Sequence, residues 1–151
     1  MNAIELLKQD HEKVKTLLEE LSNTTERAVK KRTELLQKVA LELEVHTALE
    51  EEDFYPAFKE AGGKDELKMY HEAKEEHRAV EALVLPDLMS TDPGTVEFSG
   101  RLKVLKELLE HHIEEEEEEM FKEAQELMSA EQLTTLGKQM QEKKVKLMKA
   151  A

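Results

Sequence analysis

The chain contains no cysteine among its 151 residues. This absence excludes disulfides, thiolate nucleophiles, zinc–thiolate sites and iron–sulfur clusters, so a metal ion would have to be held by histidine and carboxylate side chains. Tryptophan is also absent, and there are only five glycines and three prolines. Because β folds need frequent turn residues, this composition, with 38% charged residues, favours long amphipathic helices. We predict an all-α fold.

Long apolar segments and excess positive charge are lacking as well. No run of 18 apolar residues occurs, and the N-terminal segment has neither the basic nor the apolar part of a signal peptide. These features predict a soluble, cytoplasmic protein with no membrane partner. The formal net charge is −13. Because binding to nucleic acids depends on lysine and arginine neutralising phosphates, we expect no nucleic-acid partner.

Helix-breaking residues divide the chain into five helical segments. The breaks lie at residues 22–25, 62–63, 90–94 and 129–130. A chain of this length suits one domain, so we expect a single domain over residues 1–151, with a bundle core at about 2–128 and an appended C-terminal helix at about 130–149. Short connections make neighbouring helices antiparallel, which predicts an up-down-up-down four-helix bundle.

Capping residues and prolines refine the predicted helix ends. Three helix starts are predicted at Asn23 with Glu26, at Asp92 before Pro93, and at Ser129 with Gln132. Near Pro56 and Pro86 we expect kinks or early termination. Apolar residues recur at helical spacing in every segment, and the predicted buried stripes include Leu67 in the third helix and Leu127 in the fourth.

Polar residues interrupt each of these predicted buried stripes. They are His11 in the first helix, His46 and Glu50 in the second, His77 in the third, and His112 and Glu116 in the fourth. A single inward histidine is more often a hydrogen-bonded core residue than a ligand. Burying ionisable groups is costly unless they are paired or bound to a metal. Six such residues in register therefore predict a metal site.

The spacing of these residues repeats along the chain. From His11 to His46 and from His77 to His112 the distance is 35 residues, and the two halves are offset by 66 residues. The second helix of each half carries His-x-x-x-Glu, which places imidazole and carboxylate on one face, one turn apart. This pattern favours Glu116 as the second carboxylate ligand, with Glu117 in reserve, and leaves the other glutamates of residues 114–119 as a solvated helix face.

The pattern gives less reason to place the remaining histidines and the two tyrosines in the metal site. Their helical positions predict that His71 and His111 lie at the surface. Tyr55 and Tyr70 have two open roles: a hydrogen bond or redox function beside a metal, and core packing. We favour packing, since aromatic residues at helical spacing usually belong to the core.

Four imidazoles and two carboxylates indicate which metals suit the site. The set is too rich in nitrogen for calcium or magnesium and too large for one tetrahedral zinc. Two iron ions fit better, because mixed imidazole and carboxylate ligands with open positions suit iron–oxygen chemistry; manganese or zinc are the alternatives. If both glutamates bridge, an oxo or hydroxo bridge would complete five ligands per ion and leave one position for O₂, peroxide or nitric oxide.

Four motifs resemble the hemerythrin family, specifically its HHE cation-binding domains. They are Asp10-His11-Glu12, residues 46–56, Glu75-Glu76-His77-Arg78 and residues 112–121. The resemblance implies a non-haem di-iron centre in a four-helix bundle, with the six inward histidines and glutamates as ligands.

The sequence departs from the oxygen-carrying members of that family in two places. Ala73 stands where their third helix has an extra histidine, and the last motif is His-x-x-x-Glu instead of His-x-x-x-x-Asp. Losing a histidine opens the coordination of one ion and favours redox turnover over reversible storage. Within the chain itself, Lys122 in the last motif stands where the first motif has Pro56, a difference expected to matter only for helix continuity.

Three functions are therefore expected to compete. The first is binding of or reaction with O₂ or peroxide, for sensing or storage, and the second is a catalase- or peroxidase-like activity. The third is an iron sensor or a structural metal site. An electron donor is implied but is not identified, and the sequence indicates no oligomeric state.

Overall fold

A computed structural model describes all 151 residues as a bundle of five helices without strands. Helix α1 spans Ala3–Ser22, and α5 spans Ala130–Ala150. Three helices each contain a π-helical turn between two α-helical parts. They are α2 (Val29–Leu49, Glu50–Phe54, Tyr55–Ala61), α3 (Lys64–Ala79, Val80–Val84, Leu85–Met89) and α4 (Val96–Glu115, Glu116–Met120, Phe121–Leu127). The predicted all-α class and the five segments are confirmed.

One of the three predicted helix starts is correct. Ser129 caps α5 in a reciprocal capping box. Asn23 instead ends α1. The Asp92 carboxylate accepts a hydrogen bond from the backbone N–H of Gly94 at 2.8 Å, and Thr95 caps α4. Short polar side chains bond equally well to their own loop backbone, and this competing use of Asp92 explains the wrong prediction.

Of the two outcomes predicted near Pro56, a kink or early termination, the second does not occur, because α2 continues past Pro56 to Ala61. The helix instead widens ahead of the proline, where the N–H of Tyr55 donates to the carbonyl of Glu50, five residues earlier. The same kind of turn precedes Pro86 in α3. A third one, Glu116–Met120, precedes Lys122. The same turn thus forms ahead of lysine, which keeps its backbone N–H, so a proline is not required for it.

The buried apolar residues form two clusters with a polar layer between them. One cluster contains Val14, Leu18, Val39, Val80, Leu105 and their neighbours, and the other contains Ile4, Leu7, Leu49, Phe54, Phe121 and their neighbours. Along α1 to α4, the four predicted metal-binding histidines and Glu116 lie between the segments that enter the two clusters, and Glu50 follows Leu49 of the second cluster directly. Leu67 and Leu127 are each 39% exposed, so their assignment to the buried stripes is wrong; both lie near helix ends.

Helix α5 packs against α1 and α2 and contributes to the second cluster through Leu133, Leu136 and Met140. The contact is close at Gly137, where a Cβ atom would lie 2.6 Å from the backbone nitrogen of Ala3. Glycine is therefore required for this approach. No helix in the structure is both long and apolar enough to cross a membrane.

Candidate metal centre

The structure brings all six predicted metal-binding residues together in the polar layer. Each is at most 7% exposed: His11, His46, Glu50, His77, His112 and Glu116. Oε1 of Glu50 lies 3.2 Å from Nε2 of His46 and 3.0 Å from Nε2 of His77. Oε1 of Glu116 lies 3.0 Å from Nε2 of His11 and 3.5 Å from Nε2 of His112. All four Nε2 atoms thus face the two carboxylates.

The four imidazoles form two pairs related by the 66-residue repeat. The ring centroids of His11 and His46 are 4.9 Å apart, and those of His77 and His112 are 4.8 Å apart. Each inner glutamate approaches one histidine from each pair. A carboxylate in this position can bridge two metal ions, each of which would be bound by one pair of histidines.

A second carboxylate holds the opposite nitrogen of every histidine. The Nδ1 atoms of the four histidines pair with Glu117 at 2.6 Å, Asp10 at 3.0 Å, Glu51 at 2.9 Å and Glu76 at 2.9 Å, in the order His11, His46, His77, His112. With Nδ1–H donating to a carboxylate, Nε2 of a neutral imidazole is left free to bind a metal.

Three of these four outer carboxylates, Asp10, Glu51 and Glu76, were not predicted from the sequence, and Glu117 was predicted only as the reserve for the inner ligand Glu116. The repeat could have revealed them, because Asp10 and Glu76 are separated by 66 residues, as are Glu51 and Glu117. Glu117 therefore has a defined place: it supports His11 from outside the inner group, whereas Glu116 is the carboxylate in the interior. Hydrogen bonding to His11 lowers the pKa of Glu117, so the outer carboxylate stays ionised.

Tyr55 has a larger role than the packing that we favoured from the sequence. Its hydroxyl donates a hydrogen bond to Oε2 of Glu116 at 2.6 Å and lies 3.2 Å from Nε2 of His77. Its ring also stacks on His77 at a centroid distance of 5.3 Å. Burial and the nearby carboxylates raise the pKa of Tyr55 well above its usual value, so the phenol retains its proton. Tyr70 is half-buried and packs edge-on against Tyr55.

The repeat is broken at Tyr55, because residue 121, its counterpart 66 positions later, is phenylalanine. Phe121 stacks on His11 at 5.7 Å, as Tyr55 stacks on His77. The two ends of the centre are therefore alike in shape, but only the His77 end carries a hydroxyl group. The two ends of the polar layer are chemically different for this reason.

Several buried polar atoms are not satisfied by the protein itself. Both carboxylate oxygens of Glu50 and Nε2 of His46 make no hydrogen bond. Leaving such atoms buried without a partner is costly. The potential ligand atoms fall into two groups, His11, His46, Glu50 and Glu116, and Glu50, His77 and His112, within which all lie at most 4.8 Å apart. The residues therefore fit a pair of metal cations, which would also offset the charge of the inner and outer carboxylates.

The other predicted positions also have definite places in the structure. His71 and His111 are exposed, as expected from their helical positions. Ala73 is 4% exposed and lies in the apolar cluster beside the centre, so the third helix offers no further nitrogen there. At Lys122 the helix is continuous.

A helical bundle crossed by a buried layer of histidines and carboxylates is a cation-binding domain. The chain belongs to the hemerythrin HHE cation-binding domain family, whose family model matches residues 2–124. A crystal structure of a hemerythrin HHE cation-binding domain-containing protein from Mycobacterium kansasii, an Rv2633c homolog, has a TM-score of 0.87 and 27% sequence identity, and the match covers 99% of this chain and 89% of that chain.

A curated protein of Nostoc sp., described as a DNA nickase, is 28% identical over 133 residues. The match covers 87% of this chain but only 36% of the Nostoc protein. The chain thus spans about a third of the length of that relative.

Proposed function

We propose that this domain holds two iron ions and uses them to react with peroxide or O₂. The observation that carries the proposal is the pair of inner glutamates, each shared by two histidines that belong to different pairs. The donor set of imidazole nitrogens and carboxylate oxygens favours iron over calcium or magnesium. Two iron ions held by these residues would supply one-electron redox chemistry for the reduction of O₂ or peroxide or the oxidation of peroxide.

The side chains around the layer support turnover rather than simple carriage. With Ala73 in the third helix, the whole site has four imidazole nitrogens and no fifth, so neither metal position has a third protein nitrogen. Tyr55 keeps its proton within hydrogen-bond distance of Glu116 and close to His77. A buried phenol at this place can give a proton to an oxygen species that gains electrons there. The outer carboxylates hold the imidazoles in one tautomer throughout.

The test is oxygen evolution from hydrogen peroxide by iron-loaded protein, combined with metal analysis. We expect about two irons per chain and activity well above that of free iron. His112→Ala should lose most of the activity and part of the iron, because Nε2 of His112 faces the inner carboxylates. His111→Ala is the matched control, since this neighbour is exposed.

Two results would contradict this proposal. One is a wild-type protein that evolves no more oxygen than His112→Ala at equal iron content. The other is a chain that retains a single zinc ion and no iron. If reduced protein instead forms a reversible complex with O₂ in stopped-flow mixing and does not consume peroxide, the function is binding and not turnover.

A further inference from the structure

A cavity of about 320 Å³ lies beside the polar layer, between α2 and α3. His46, His77 and His112 border it on the side of the metal centre. Most of its other buried walls are aliphatic and come from Val14, Leu43, Val80, Leu109 and Ile113. The cavity is therefore a largely apolar space with three of the four inner imidazoles on one side.

The size of this space exceeds what O₂ or peroxide needs. A water molecule occupies roughly 30 Å³, so the cavity has about ten times the volume of one water molecule. Pockets for organic ligands begin at roughly 300 Å³ and are mostly apolar with a few polar groups. The cavity meets this description, which indicates an organic ligand of about ten non-hydrogen atoms.

The charges around the cavity restrict the kind of ligand. Glu44, Glu76 and Glu81 line it, and no lysine or arginine does. Glu76 is engaged by Nδ1 of His112, whereas Glu44 and Glu81 are exposed. A carboxylate-bearing molecule such as a fatty acid would be repelled, and a cation would be attracted.

We propose that this cavity binds a small apolar amine. Its hydrocarbon part contacts the aliphatic walls, and its ammonium group lies near Glu44 and Glu81. The inference adds an organic ligand to the proposed metal centre and rests on that centre being formed, but the binding itself requires no turnover. Binding and peroxide activity can therefore succeed or fail separately.

The experiment is calorimetric titration of metal-loaded protein with 4-ethylbenzylamine and, separately, with 4-ethylbenzoate, which has the same shape and the opposite charge. We expect the amine to bind at least about tenfold more tightly than the carboxylate. Ala40 lines the cavity and is not a predicted metal ligand, so Ala40→Phe should fill part of the cavity and weaken amine binding by about tenfold or more. Ala82→Phe, on the exposed face of α3, should leave binding unchanged.

A double variant tests whether the two exposed glutamates cause the preference for the amine. Both side chains lie at the surface, so their replacement should not disturb folding. The double variant Glu44→Gln, Glu81→Gln should bring the affinities of amine and carboxylate close together. The proposal is overturned if wild type binds neither probe, if it binds both equally, or if amine binding survives Ala40→Phe in protein with normal melting behaviour and metal content. Peroxide turnover, measured on the same preparations, shows whether the proposed function stands when amine binding fails.

Discussion

Each histidine of this centre pairs with an outer carboxylate through Nδ1 and faces an inner carboxylate with Nε2, and these two positions distinguish the roles of the acidic residues. In the run of glutamates at residues 114–119, Glu116 points into the layer and Glu117 reaches Nδ1 of His11. Adjacent residues on one helix thus serve as an inner carboxylate and an outer support. A substitution at either position should affect metal binding, but for different reasons.

Glu117→Ala should lower metal affinity by about 10- to 100-fold while the protein stays folded. Without its partner, His11 loses the hydrogen bond that fixes its orientation and tautomer. Competition against a chelator of known affinity measures the change. Glu118→Ala is the matched control, because this neighbour is exposed and should change nothing. Equal affinity of Glu117→Ala and wild type would refute the supporting role.

At the scale of the helices, the three π-helical turns affect where side chains of the centre lie. Two of these turns begin at the inner glutamates, Glu50 and Glu116. A π turn shifts the residues that follow it relative to a regular helix. After each turn an aromatic ring, Tyr55 or Phe121, stacks on a histidine of the layer. The turns therefore place the aromatic walls of the centre.

Helix α5 depends on one close contact for its position, so Gly137→Ala should destabilise the protein. A Cβ atom there would lie 2.6 Å from backbone atoms of Met1, Asn2 and Ala3, so the backbone itself would have to shift. We expect a loss of about 1–3 kcal/mol in the free energy of unfolding, measured by denaturant titration.

Gly100→Ala provides the opposite outcome in the same assay. Nothing lies within 4 Å of a Cβ atom at this position of α4. Alanine should therefore stabilise the helix by about 0.5–1 kcal/mol. If both variants were equally stable, the docking contact of α5 would not depend on glycine.

In the whole molecule, the metal centre couples stability to pH. Burial lowers the pKa of His77, but hydrogen bonding to and the charge of Glu50 outweigh this and raise the pKa from 6.5 to about 9 in the metal-free protein. A raised pKa means that protonated His77 stabilises the fold. This contribution is fully present below pH 6.5 and is lost as the pH rises through about 9.

We therefore expect the melting temperature of the metal-free protein to fall between pH 6.5 and 9. The metal-loaded protein should depend less on pH in this range, since metal binding keeps the imidazoles deprotonated. Circular dichroism melts of both forms measure the difference. His71→Gln should melt like wild type because His71 is exposed. A flat curve for the metal-free protein would contradict the coupling.

Much of the architecture could be predicted from local features of the sequence. The helical class follows from scarce turn residues and apolar spacing, and the inner group follows from polar residues that interrupt each stripe. Helix ends were less predictable: Asn23 and Asp92 have capping chemistry, yet the backbone N–H of Asn23 ends α1 and the carboxylate of Asp92 bonds to the N–H of Gly94. Such choices depend on the free energies of competing hydrogen bonds, which a sequence pattern does not rank.

The sequence by itself determined which residues are alike, because the 66-residue repeat pairs His11 with His77, and Glu50 with Glu116. Only the tertiary structure decided how the two halves differ. The hydroxyl of Tyr55, the packing of α5 and the cavity between α2 and α3 depend on contacts between residues far apart in the chain. The physical reason is that periodicity specifies a face of a helix, whereas the neighbour of that face is set by the packing of the whole bundle.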